Sequence, residues 1–298
     1  MARSVCPGCG RGCNIDVHYN IRRPHHNQGR RVARLKPRFN AEVNRWWICD
    51  AGRYGYTFVD APSRLEAPTR GRGEAAVEVG WEEMLPLIAG QLRRYRFLRR
   101  LVDHLGLVHV DFRVPPRTPG DEDRILIKAD KNPNTRGAEL IGLGPRPGGL
   151  DARGVLRAAR ERRIKCLWVF HHDLLASAWP EAEVREAFGA VAGLIYQGSN
   201  ANGVSAAAHY VLPSAAWVER EGTFTNFEGR VQRFWKAVEP LGLSLADWEI
   251  LGRLGEALGL GAPPARAEEC FRALAAGVPA FGSLSYRELR DTGRVIRG

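Results

Sequence analysis

The stretch CPGCGRGCNIDVHYN, residues 6–20, decides how the sequence is read, together with WWICDAGRYGY at 46–56. Cys6, Cys9 and Cys13 form a C-x2-C-x3-C run, and Cys49 follows after thirty-five intervening residues. Structural zinc prefers two separated pairs, each giving two thiolates to a tetrahedron. Three ligands from one tight loop and a fourth from afar suit a [4Fe–4S] cluster. Zinc and a disulfide stand as alternatives, the latter disfavoured by close spacing and by a reducing compartment. The expectation is one [4Fe–4S] cluster on Cys6, Cys9, Cys13 and Cys49. Gly8, Gly10 and Gly12 give the loop freedom to turn its amides toward sulfur, which tunes a cluster's potential. His18, His25 and His26 are read as solvated residues, not ligands. Trp46 and Trp47 are expected to shield the cluster or fill a small core. Cys166 and Cys270 sit in apolar contexts and are expected to pack as buried hydrophobes.

Outward from this motif, CNIDVHYN alternates apolar and polar positions and predicts a strand. RRVARLKP predicts its partner, with NIRRPHHNQG (20–29) as the turn. A small β-rich domain is expected over residues 1–60, and a Pro- and Gly-containing linker over 61–75. An α/β domain is expected over 76–298. In that domain helix-like segments alternate with buried-strand runs. VGWEEMLPLIAGQLRRYRFLRRLVDHLG (79–106), ARGVLRAARERR, EAEVREAF and SLADWEILGRLGEALG have helical spacing. IKCLWVF, VAGLIYQ and HYVLPSA read as strands, and RILIKAD is a further short apolar run. The alternation predicts an α/β fold with a mostly parallel sheet.

The 298 residues carry 44 Lys and Arg against 33 Asp and Glu, a net charge of +11. Basic runs at 22–31, 92–100 and 157–165 lack the aromatic interleaving or motifs of nucleic-acid binding. A solvated face or an acidic protein partner is the expectation. No run reaches the roughly 18 apolar residues of a membrane span, and no signal peptide is evident. The expected location is cytoplasmic, with or without attachment to the cytoplasmic face of a membrane-bound complex.

Three further stretches hold candidate residues. His171, His172 and Asp173 lie at the carboxyl end of a predicted parallel strand, the edge where open sheets bind ligands. Adjacent side chains there point apart, so a polar strand end or interface is expected. GTFTNFEGR (222–230) presents Asn226, Glu228 and Arg230 and reads as a structural loop whose Asn and Glu cap backbone groups. LGPRPGG (143–149) lacks the phosphate-loop pattern and reads as a loop.

CPGCGRGCNIDVHYN with RVARLKPRFNAEVNRWWICDAGRYGY resembles the cluster-binding domain that opens the molybdopterin-oxidoreductase superfamily. Within it the likeness is to the G subunit of bacterial complex I, the NADH–quinone oxidoreductase. The likeness resumes in DRILIKADKNPNTRGAELIGL, in VLPSAAWVEREGTFTNFEGRVQRFWKAVEP with DWEIL behind it, and in PAFGSLSYRELRDTG. The resemblance implies a degenerate member. Pterin-dependent relatives commonly carry a Lys two residues after the fourth cysteine, where Ala51 stands. They place Gly and Asn where this chain has His171 to Asp173, and a large inserted portion where it has only a short segment between 98 and 123. No molybdopterin and no catalytic residue is therefore expected.

The resemblance implies an electron-transfer subunit of a hetero-oligomer with other iron–sulfur or flavin subunits. A complex I-like assembly, an NAD-linked hydrogenase or a formate dehydrogenase-like complex would supply them. Relatives also carry a ferredoxin-like domain ahead of the motif; with five residues before Cys6, that domain is expected from another chain. Arg22, Arg23, Arg30 and Arg31 are expected to make the contact. A reduced pterin enzyme and a scaffold whose cluster is purely structural are the rival readings.

Overall fold

The computed structural model describes residues 1–94, 109–118, 120–145, 147–282 and 284–296. The basic run 92–100, the short segment 98–123 and the latter part of the helix predicted over 79–106 lie wholly or partly outside these residues.

Strands β1 (Ala2–Val5), β2 (Asn14–Tyr19) and β3 (Val32–Pro37) form an antiparallel sheet in that order. Ile15 and Val17 on β2 and Val32 and Leu35 on β3 are buried, while Asp16, His18, Arg34 and Lys36 face outward. Residues 6–13 are thus the turn of the β1–β2 hairpin, closed by Cys6 N–H donating to the Cys13 carbonyl at 2.8 Å. A short helix, α1 (Asp50–Tyr54), follows the fourth cysteine.

The segment expected as a linker is tied down instead. It contributes β4 (Thr69–Arg70), which pairs with β5 (Val77–Glu78), and the buried Arg64. Its prolines and glycines shape turns between paired segments. After α2 (Trp81–Arg94), α3 (Thr135–Leu140) and α4 (Ala152–Arg160), the chain lays down β6 (Cys166–Phe170). Helix α5 (Glu181–Ala190), β7 (Gly193–Gly198), α6 (Gly203–Ala207) and β8 (Tyr210–Pro213) follow. The five-stranded sheet has the order β5-β4-β8-β7-β6; β6, β7 and β8 run parallel, and the short β4 and β5 are antiparallel additions.

All six residues of β7 are buried, as a strand covered on both faces requires. Leu194 and Tyr196 pack toward Leu156 and Ala159 of α4 and Val184 and Phe188 of α5. Ile195 faces the other way, in a core with Met84 and Ile88 of α2 and Ile250 and Leu254 of α7 (Asp247–Ala257). RILIKAD forms no strand: the Asp123 carboxylate accepts from the amides of Ile125, Leu126 and Ile127 and curls the segment into a turn.

GTFTNFEGR, expected as a loop, is part of a hairpin: β9 (Gly222–Thr225) pairs with β10 (Arg230–Phe234). The chain ends with α8 (Ala267–Gly277), α9 (Tyr286–Leu289) and β11 (Arg294–Val295), which pairs with β10. This second three-stranded sheet lies against the first. Trp235 N–H donates to the Arg3 carbonyl at 3.3 Å, and the core of β2 and β3 continues into Ala216, Trp217, Val218 and Val238.

Candidate cluster site

The β1–β2 turn brings Cys6, Cys9 and Cys13 together, and the segment after β3 returns Cys49 to them. All four line one cavity of about 60 Å³ with Gly8, Gly12, Ala51, Gly52, Leu126, Ile127 and Lys131. Cys6, Cys9 and Cys13 are buried and Cys49 is half-buried. Among the described residues, no group of three or more His, Cys, Asp or Glu converges closely enough to hold a single metal ion.

Burial, with Cys9 and Cys49 as neighbours, pushes the Cys6 thiol up to about 12, against a favourable amide hydrogen bond from Gly8. The Cys13 thiol is pushed up as well, by burial and then by Cys6, Cys9 and Cys49. Thiolates in so apolar a space need a positive centre to compensate them.

Only part of the expected amide pattern is present. Gly8 N–H serves Cys6, and Gly52 N–H donates to Cys49 Sγ at 3.3 Å, where Cys49 caps the start of α1. Gly10 and Gly12 do not aim at sulfur: their N–H groups bond the carbonyls of Asp130, at 2.8 Å, and Cys9, at 3.3 Å. Gly12 is instead required by its backbone, with φ +65° and a Cβ position only 3.0 Å from Gln232 Nε2. Gly52 is required by close packing, since a Cβ there would lie 3.0 Å from Ile48 and 3.1 Å from Cys6 Sγ.

Trp46 and Trp47 neither shield the cavity nor fill a core; each is 66% exposed. Val43 and Ile48, on either side of them, take the buried positions instead. His18 faces outward on β2, and His25 and His26 are exposed in the connection. Cys166 and Cys270 are half-buried and lie outside the cavity lining. Burial pushes the Cys166 thiol up to about 11 as it packs beside α2 and α7.

Asn226 does cap backbone, accepting from the amides of Glu228 and Arg230, and its Nδ2 donates to the Arg11 carbonyl of the cysteine loop at 3.3 Å. Glu228 is exposed and caps nothing among the described residues, while Arg230 pairs with Glu42. At the sheet's carboxyl edge, His171 Nε2 lies 3.0 Å from Asp247, whose carboxylate also takes Gln197 Nε2 and Ser214 Oγ at 2.8 Å and pairs with Arg220. Asp173 turns away and caps the backbone at Leu175 and Gly203.

Sequence reasoning missed Leu126, Ile127 and Lys131 as lining residues. All lie within DRILIKADKNPN, which the resemblance singled out without assigning a role. Ala51 does line the cavity, so no Lys follows Cys49 there; the cationic lining residue is Lys131, with Nζ bonded to the carbonyls of Asp121 and Lys128.

Residues 1–61 match the molybdopterin oxidoreductase Fe4S4 domain, and residues 140–257 match molybdopterin oxidoreductase. Among curated proteins, the F420-dependent formate dehydrogenase 1 subunit alpha of Methanococcus maripaludis is 34% identical over 143 residues, 47% of this chain and 21% of the relative. The NADPH-Fe(3+) oxidoreductase subunit alpha of Geobacter sulfurreducens is 34% identical over 145 residues, 47% of this chain and 17% of that protein. The matched stretch thus spans about a fifth of the length of these relatives. The fold is similar to that of acetylene hydratase from Pelobacter acetylenicus, with a TM-score of 0.68 at 9% identity over all of this chain and 74% of that one. An Fe4S4 domain followed by a molybdopterin oxidoreductase domain, in a mixed α/β fold with a mostly parallel central sheet, is therefore what this chain is built from.

Proposed function

We propose that this chain is an electron-transfer subunit of a larger redox complex, holding one [4Fe–4S] cluster on Cys6, Cys9, Cys13 and Cys49 and no pterin. The observation that carries the reading is the gathering of these four thiols around one cavity. When bound, such a cluster supplies one-electron transfer at a potential set by its surroundings. The chain's own residues hold and insulate it: Gly8 and Gly52 bond sulfur, Leu126 and Ile127 exclude water, and Lys131 adds positive charge. In reconstituted protein, Cys49→Ser should lose the cluster or make it labile, and Cys166→Ser should retain it. Equal retention by both variants would contradict the ligand set.

Two features support the absence of a pterin. Ala51 stands where the bridging Lys is found in pterin-dependent relatives. The donors Gln197, Ser214 and Arg220 are committed to the chain's own Asp247. A pterin enzyme of formate dehydrogenase type is the second reading, favoured by the match over 140–257 and by the relatives' names. A stoichiometric fluorescent pterin oxidation product after denaturation would establish it.

The narrower likeness to the complex I G subunit belongs to this proposal, as do the 1–60 and 76–298 domain division and a cytoplasmic location. No helix among the described residues is long and apolar enough to cross a membrane. The relatives named above are alpha subunits, which supports a hetero-oligomer; iron–sulfur or flavin centres on its other subunits are part of the proposal.

A further inference from the structure

We propose that the surface beside Cys49, formed by Phe39, Trp46 and Trp47 with Arg45 and Arg53, is the docking face for an acidic iron–sulfur protein domain. The proposal rests on the reading of the chain as an electron-transfer subunit and names where its partner binds. Trp46 and Trp47 are each 66% exposed and Phe39 is 45% exposed, with the Phe39 and Trp46 rings 4.7 Å apart. Single exposed hydrophobes are ordinary, but exposed rings packed on one another, as Phe39 and Trp46 are, mark an interaction site. Trp and Arg are also the residues enriched at the energetic centre of interfaces.

The patch is held in place before any partner arrives. Asn44, 2% exposed, donates from Nδ2 to the carbonyls of Asn14, Arg38 and Trp47 and accepts from Asn14 N–H at 2.9 Å. Arg45, at φ +45°, donates its N–H to the Asn40 carbonyl at 2.7 Å and closes the turn. A surface fixed in this way loses little conformational freedom on binding.

Position and charge point to the occupant. Of the four cavity cysteines, Cys49 is the one that is half-buried, and it follows Trp47 by two residues in the chain. Neither Arg45 nor Arg53 has an ion-pair partner among the described residues, whereas Glu42 is engaged by Arg230. Asp50 is the remaining exposed carboxylate nearby, and the whole chain carries +11. An acidic redox partner is complementary to that rim, and steering of this kind weakens with salt.

The test uses the full, cluster-loaded chain and, as probe, an acidic plant-type [2Fe–2S] ferredoxin whose binding is measured at low and at high salt. Trp46→Ala/Trp47→Ala should weaken binding roughly tenfold or more, as loss of an interface centre does, with iron content and reduction by dithionite unchanged. Arg45→Glu/Arg53→Glu should also weaken binding and flatten its salt dependence. Undiminished binding by the tryptophan variant, or no salt-sensitive binding by the native chain, would overturn the proposal. So would a native homodimer that the tryptophan variant dissolves, since a second copy would then cover the patch. Failure of the native chain to hold iron would instead sink the underlying electron-transfer reading.

Discussion

Arg31 belongs to the basic connection 20–31, yet its guanidinium points inward, 2.7 Å from Asp60 Oδ1 and 2.6 Å from Glu219 Oε1. Glu219 is fully buried and is held from its other side by Arg64 Nη2 at 2.7 Å and by the Ala216 amide. The expectation that Arg31 meets a partner therefore fails, because its charge balances an internal carboxylate. Glu219→Gln, which leaves the buried Arg64 guanidinium without a counter-charge while Arg31 keeps Asp60, should cost about 3–5 kcal/mol, read from denaturant unfolding. No local pattern announces this pairing, since its members are 188 and 155 residues apart in the chain. The cysteine spacing, by contrast, was legible because the chemistry that needs it is local to one turn. Trp46 and Trp47 show the limit of such reading: adjacency to Cys49 does not say which way a ring faces. His171 gives a residue-scale pH effect. Burial, and then Arg220, push its pKa from 6.5 down to about 3 even beside Asp247, because Arg220 already pairs with that carboxylate. Between those values the unfolded chain binds the extra proton, so stability should fall as pH drops from 6.5 toward 3. His171→Asn should shallow that acid-side slope in pH-dependent thermal unfolding. The effect is small, because the ring is 38% exposed.

At the scale of elements, the cysteine loop is a hairpin turn clamped by a second hairpin more than 200 residues away. Gln232 on β10, 2% exposed, donates from Nε2 to the Gly12 carbonyl at 2.7 Å, and Asn226 at the β9–β10 turn reaches the Arg11 carbonyl. Gln232→Leu should strand a buried carbonyl at a cost of about 1–3 kcal/mol and shorten the lifetime of the reconstituted cluster in air, followed by loss of its visible absorbance. Gly12→Ala should act in the same direction, because it meets both an unfavourable φ and the Gln232 amide. Unchanged cluster lifetimes in both variants would show that the second hairpin does not support the loop. Strands β2, β3, β6, β7 and β8 were legible from alternation or from continuous apolar runs. The β9–β10–β11 sheet was not: its strands are short, β11 has two residues, and its pairing joins segments that only the folded chain brings together.

For the whole molecule, the parallel sheet with helices on both faces forms a body to which the two small antiparallel sheets attach. The domain match and the shared fold carry this level of description, and sequence alternation anticipated it. Composition anticipated a basic surface but not its arrangement, because many of the cations are internally paired, Arg31 and Arg64 among them. Arg22 and Arg23 remain exposed, so Arg22→Glu/Arg23→Glu should leave folding and iron content intact, as thermal unfolding and iron assay would show. The central claim, one [4Fe–4S] cluster and no pterin metal, is tested most directly by elemental and acid-labile sulfide analysis of anaerobically purified protein. The account predicts about four iron and four sulfide per chain, without molybdenum or tungsten. Stoichiometric zinc in place of iron, or stoichiometric molybdenum or tungsten beside it, would contradict it.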